Sequence, residues 1–211
     1  MIVRLIRNAM IVAAVCALAS GAEAQQAAAT QSPQAVIEKL GAAMVDTMKH
    51  AKQLAYNGRF QKLAPEIVGA FDLPRMVSIA VGGAWKQTTP DQQQRLVDAF
   101  ARYMVAVHAS RLDGYTGETF KVASSEPLQN GLTRVKAHFV RTSGSLENID
   151  YVLQNNGGKW QIVDVFYRSA ISEVATRRSE YTAVIKDSGV EKLIAKMDEK
   201  TAELGNKIST N

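Results

Sequence analysis

Residues 71–115 read FDLPRMVSIAVGGAW, KQTTPDQQQRLVDAF, ARYMVAVHASRLDGY, and the punctuation of this stretch decides the fold. Asp72 caps a helix whose first turn holds Pro74. Met76, Val77, Ile79, Ala80 and Val81 follow as its apolar positions, until Gly82-Gly83 weakens it just before Trp85. Thr89-Pro90, with Gln92 three residues after the threonine, is a second helix start: a capping box with proline at the first position. From Pro90 the spacing predicts one long helix to about Asp113. Leu96, Val97, Phe100, Tyr103, Met104 and Val107 share one face at about 100° per residue. Arg111 falls in the middle of that arc, one turn from the helix end. It either snorkels out past the terminus or stands as a cation at the mouth of whatever the stripe encloses.

Upstream, Ser32-Pro33 starts a helix with Val36, Ile37, Leu40, Met44, Val45 and Met48 on its apolar face. Asn57-Gly58 ends that segment, and Phe60–Phe71 reads as a short helix broken by Pro65. Downstream, the period changes at Thr116 from helix to strand. Phe120 and Val122 alternate, as do Val135, Ala137 and Phe139 against Arg134, Lys136 and His138, and Ile149, Tyr151 and Leu153 against Asn148, Asp150 and Val152. Asn155 to Gly158 forms a hairpin turn. Trp160 to Tyr167 is nearly continuous in apolar residues, as expected of a strand covered on both faces. After Ser169 the helix period returns: Val174, Tyr181, Val184 and Ile185 mark one helix, ended by Ser188-Gly189, and Val190, Leu193, Ile194 and Met197 mark the last. Helices, then about four strands with short connections, then helices predict an α+β domain whose curved, mostly antiparallel sheet is wrapped by N-terminal and C-terminal helices.

The first residues read as a processing signal rather than as fold. Arg4 and Arg7 form a basic region, Ala9 to Ala19 an apolar one, and Ala22-Glu23-Ala24 a cleavage site. The apolar run, about 11 residues, is too short for a bilayer core of about 30 Å, which argues against an uncleaved anchor. Residues 1–24 are therefore expected to be a signal peptide, 25–34 a flexible leader, 35–204 the folded domain and 205–211 a tail. Cys16, the single cysteine, lies in the apolar region without a lipoprotein pattern. The expected mature chain, from Gln25, has no disulfide or thiol chemistry although it is exported. A formal net charge of +5, spread without a basic block or interleaved aromatics, makes nucleic acid an improbable partner.

Catalytic signatures are missing. His50, His108 and His138 share no metal-ligand spacing with one another or with a cysteine. There is no nucleophile elbow, phosphate-binding loop or dinucleotide fingerprint, and no credible nucleophile–base pair. Asp72 reads as a helix cap, Asp164 as a strand residue near a buried edge, and Trp85 and Trp160 as core aromatics. No catalytic residue, metal ligand or cofactor is expected.

Phe71-Asp72, Pro74-Arg75-Met76, Gly82, Trp85, Thr89-Pro90, Gln92-Gln93, Phe100, Ala109, Leu112 and Tyr115 resemble the MlaC family, the periplasmic lipid-binding component of the Mla (toluene-tolerance) ABC transport system. The resemblance continues through Trp160, Asp164-Val165, Ile171, Val174 and Arg178 to Gly189-Val190 and Leu193. Two departures stand out: Val107-His108 replaces a common Thr-Tyr pair, and Ser169 to Glu173 replaces a Gly-Val-Ser segment. Ile171 to Glu173 and Ala175 to Tyr181 are most similar to the branch called HpnM, associated with hopanoid biosynthesis.

The resemblance implies an NTF2-like fold, a periplasmic location and no enzyme activity. It implies a lipid ligand, phospholipid or hopanoid, and two docking partners, an inner-membrane ABC transporter complex and an outer-membrane lipoprotein. It also implies a physical task. Roughly 30 methylene groups at about 0.8 kcal/mol each put about 24 kcal/mol between a free phospholipid and water, so a carrier must wrap the tails. Val77, Val81, Phe100, Met104, Val107, Phe139, Tyr151 and Val165 are the residues expected to line such a cavity, with Arg111 and His108 near the headgroup. Two rival readings make different demands. An isomerase or dehydratase of the same fold class needs an ionisable group, His108 or Asp164, buried in the cavity. An adaptor that binds no lipid needs a filled core, with no cavity of a few hundred Å3.

Overall fold

The computed structural model describes residues 31–209. The expected signal peptide and residues 25–30 of the expected leader lie outside the described residues. The element order is α1 (Pro33–Lys49), α2 (Ala51–Ala70), α3 (Leu73–Val81), α4 (Pro90–Arg111), β1 (Thr119–Pro127), β2 (Leu132–Val140), β3 (Leu146–Asn156), β4 (Lys159–Tyr167), β5 (Ile171–Ser172) and α5 (Glu173–Ser209). Helix α1 thus begins inside the expected leader, and α5 runs into the stretch read as a tail.

The helix starts follow their caps. Ser32 accepts from the Ala35 N–H and Asp72 from the Arg75 N–H, each at 3.1 Å. At Thr89 the capping box is complete: its hydroxyl accepts from the Gln92 N–H at 3.2 Å, and the Gln92 side chain accepts from the Thr89 N–H at 3.1 Å. These bonds satisfy amide donors that have no partner inside the helix.

The helix breaks differ from expectation in α2, which runs through both Asn57-Gly58 and Pro65. Pro65 lies on the exposed side, where water satisfies the carbonyl left without a donor. The departure from helical geometry comes two residues before Asn57, at Ala55, with φ 52° and ψ −171°. That left-handed backbone is unfavourable for alanine, so the packing around it, not local preference, sets the kink. Gly189, with φ 80°, bends α5 where a helix end was expected.

The strands form one sheet in the order β1-β2-β3-β4-β5, every neighbouring pair antiparallel. There are five strands rather than about four; the extra one has two residues and pairs Ile171 with Tyr167. Register shifts between Val122 and Ser124, and between Val152 and Leu153, mark bulges that bend the sheet. The second also contributes to the apolar run of β4. Val152 pairs with Asp164 and Leu153 with Ile162, leaving Val163 as the extra residue.

Val135, Ala137, Ile149, Tyr151, Leu153, Ile162 and Val165 join the helices in the main core. Val77 and Val81 have no exposed surface, and Phe100 is 2% exposed; Phe100 meets Tyr181 of α5 edge-on at 6.4 Å. The α4–α5 seam is tied outside by the Arg102–Asp198 pair at 2.7 Å and by Arg95 with Glu191. Among the described residues no helix is long and apolar enough to cross a membrane.

Candidate lipid cavity

One cavity of about 440 Å3 opens between α4 and the sheet. Helix geometry builds its first wall, because Tyr103, Met104, Val107, His108 and Arg111 lie on adjoining faces of α4. Strand register builds the second. Tyr151 pairs with Val165 and Ile149 with Tyr167, while Phe139 pairs with Glu147, so these side chains stand on the same face of the sheet. Met44 and Met48 of α1, Phe71, and Met76 of α3 complete the apolar part.

The rim is charged, and most of its charges are committed. Arg141 pairs with Glu147 at 2.8 Å. Arg177 pairs with Glu173 at 2.7 Å and Glu180 at 2.8 Å, and lies over the Tyr103 ring at 5.2 Å. Burial is the largest single influence and works against the Arg177 charge, but Glu173, Tyr103 and Tyr181 together outweigh it and raise its pKa. The Glu118 carboxylate accepts from the Thr116 N–H at 2.7 Å and the Thr116 hydroxyl at 2.8 Å; the backbone bonds, ahead of the hydroxyl, hold its pKa below the usual range. Arg111 lies over the Tyr167 ring at 6.0 Å and makes no ion pair with a carboxylate among the described residues.

His108 is fixed by its own helix. Its Nδ1 is 2.8 Å from the Met104 carbonyl; since a carbonyl only accepts, Nδ1 carries the proton and the neutral ring keeps Nε2 as an acceptor. Burial lowers its pKa, the Met104 carbonyl opposes this, Arg111 adds to the lowering and Glu173 opposes it. Burial likewise pushes the Tyr151 phenol well above its ordinary range. Burial, then Glu173, raises Tyr167, against Arg111 and Arg177. At neutral pH the middle of the cavity therefore offers uncharged polar tips among hydrocarbon.

Of the residues expected to line a cavity, Met104, Val107, Phe139, Tyr151 and Val165 do so, as do Arg111 and His108. Val77, Val81 and Phe100 are not in the lining; they pack in the core. Sequence reading missed Met44, Met48, Phe71, Met76, Tyr103, Ile149 and Tyr167. The apolar helix face and the strand alternation carried a signal for Met44, Met48, Tyr103 and Ile149, but nothing separated wall from core. Asp164 lies outside the lining. Its carboxylate accepts from the Val165 and Val174 N–H groups, at 2.8 and 3.1 Å, and from the Ser172 hydroxyl at 2.6 Å, which ties down the start of α5. No three His, Cys, Asp or Glu side chains among the described residues are placed to hold a metal ion.

Fold and cavity together define a class: an α+β domain with a bent antiparallel sheet, helices packed against it, and an apolar pouch with a charged rim. Residues 23–199 match the family model described as MlaC protein, and the chain belongs to the MlaC family. A similar solved structure is the phospholipid-binding protein from Ralstonia solanacearum, determined in complex with a phospholipid. It is 24% identical, superposes with a TM-score of 0.72, and the match covers 82% of this chain and 98% of that one.

Proposed function

We propose that this protein is a periplasmic lipid carrier, exported by a cleaved signal peptide, that holds a membrane lipid and shuttles it between the inner and outer membranes. The observation that carries the reading is the cavity itself. Its volume of about 440 Å3 falls within the range of about 300–1,000 Å3 typical of ligand pockets. The hydrocarbon lies against Met104, Val107, Phe139, Tyr151 and Val165. The polar end lies near Arg111, the rim cation without a carboxylate partner, and His108, whose Nε2 accepts a hydrogen bond from a hydroxyl. Family membership and the phospholipid bound by the Ralstonia relative support the same reading. The ligand is a phospholipid or, as the HpnM-like stretch after Ser169 suggests, a hopanoid.

A bilayer and a dry cavity hide the tails about equally, so cavity affinity does not set direction. Direction comes from the docking partners, an inner-membrane ABC complex and an outer-membrane lipoprotein. The adaptor reading demands a filled core, which the cavity opposes. The enzyme reading is weakened by Asp164, which is committed to backbone amides away from the cavity, and His108 alone makes no acid–base pair.

Native mass spectrometry of gently purified protein, followed by extraction of any bound lipid, tests the carrier reading. Adducts of lipid mass are expected, and the extract separates phospholipid from hopanoid. A spectrum of bare protein, unchanged after incubation with vesicles, would refute it.

A further inference from the structure

The cavity has two walls of unlike stiffness. Four of the five methionines among the described residues line it: Met44, Met48, Met76 and Met104. They come from three different helices, α1, α3 and α4. Methionine is unbranched, with three rotatable bonds and a polarizable sulfur, so this wall re-packs at little cost. The opposite wall is held rigid. Tyr151 and Val165 are paired in the sheet ladder. Phe139 meets Phe120 edge-on at 5.1 Å. Phe120 in turn rests on Gly41, where a Cβ would lie 2.0 Å from its ring.

Volume makes the compliance matter. The cavity of about 440 Å3 lies toward the lower end of the range of about 300–1,000 Å3 filled by drug-sized ligands, so a two-tailed or fused-ring lipid, larger than such ligands, gains from a wall that can move. The methionine side is the one that yields.

We propose that the methionine wall makes this cavity shape-adaptive, so that it takes up flexible acyl chains and rigid fused-ring lipids with preferences within about tenfold of each other. The inference rests on the carrier reading and names the breadth of its ligand class. Selection between lipids is then left to the rim, where Arg111 stands.

The test uses the full chain, delipidated and incubated with vesicles of dioleoyl phosphatidylcholine and cholesterol in equal amounts, with bound lipid counted by native mass spectrometry. Both lipids are expected as adducts, within about tenfold of each other. The double variant Met48→Ile/Met104→Ile, whose β-branched side chains are stiff at χ1, is expected to shift that ratio by about tenfold or more. Uptake of one lipid shape alone, or an unchanged ratio in the variant, overturns the inference while leaving the carrier reading intact. Uptake of neither lipid overturns the inference, and the carrier reading falls with it only when the gently purified protein also carries no lipid. Should the variant not fold, methyl-labelled methionine NMR of the unaltered chain decides. The cavity methyl signals are expected at different positions with each lipid, and identical positions overturn the inference.

Discussion

Arg59 is 3% exposed, a buried cation with no carboxylate partner among the described residues, and replacing it by methionine sets two effects against each other. Its Nε donates to the Ala109 carbonyl at 2.8 Å and its Nη1 to the Ala51 carbonyl at 3.0 Å. Ala109 lies in the last turn of α4, where carbonyls lack helical partners, and Ala51 opens α2 just before the kink. The guanidinium thus ties the kinked start of α2 to the end of α4 that carries His108 and Arg111. Two charge-assisted bonds at about 1.5–3 kcal/mol each are lost in Arg59→Met, about 3–6 kcal/mol together. Against this, the buried Nη2 has no partner, and removing that donor with its charge returns about 1–3 kcal/mol.

The two ranges combine to a loss of about 0–5 kcal/mol for Arg59→Met, and their midpoints give about 2–3 kcal/mol. In a domain of this size that lowers Tm by about 5–10 °C. Arg59→Ala also leaves a cavity and loses about 2 kcal/mol more. Urea unfolding followed by fluorescence of Trp85 and Trp160 measures both, with the slope m expected unchanged. Amide exchange gives a local readout, because the Leu112 N–H, bonded to the His108 carbonyl at 3.0 Å, should exchange faster in both variants. An Arg59→Met protein as stable as the parent would refute the reasoning. It would mean that desolvation of the cation outweighs its hydrogen bonds, as happens for some buried charges.

Other substitutions probe the cavity directly. Gly41→Ala puts a methyl 2.0 Å from the Phe120 ring, and overpacking of this kind is expected to cost about 1–3 kcal/mol, measured by thermal unfolding. Val107→Glu places a carboxylate in the apolar wall of α4 and is expected to reduce co-purified lipid by about tenfold or more, read by native mass spectrometry beside a circular-dichroism check of folding. His108 gives a pH signature. Its folded pKa lies below the ordinary value of about 6.5, so below that pH the unfolded chain binds the extra proton and the folded chain does not. Its contribution is therefore fully present above about pH 6.5 and is lost as pH falls from there toward the depressed folded value. Urea midpoints of the parent should fall between pH 7 and 5 more steeply than those of His108→Gln; parallel curves would refute a half-buried imidazole held neutral in the fold.

Local chemistry was legible in the sequence. Ser32, Asp72 and Thr89 announced three helix starts, because a capping side chain acts on amides only two or three residues away. Alternation announced the strands and put Val135 and Ala137 on the buried face. The residues running from Phe71 to Leu193 also pointed to the family that the comparisons establish. Non-local effects were not legible. Asn57-Gly58 looked like a break, yet the kink sits at Ala55, held by packing that alanine's own preference opposes. Pro65 looked like a breaker, yet its exposed position lets water satisfy what it leaves unpaired. Arg59 carried no local signal, since its partners are 8 and 50 residues away.

The sequence by itself determined which surfaces of this protein avoid water. Only the tertiary structure decided what they meet. Val77, Val81 and Phe100 show the same spacing as Met104 and Val107, yet the first three are enclosed by neighbours and the last two border open volume. An apolar side chain reports the free energy of leaving water, which is nearly the same against a packed neighbour or a guest's hydrocarbon. Whether the space opposite is filled depends on how far α1, α3 and α4 stand from the bent sheet, a distance set by all the contacts together.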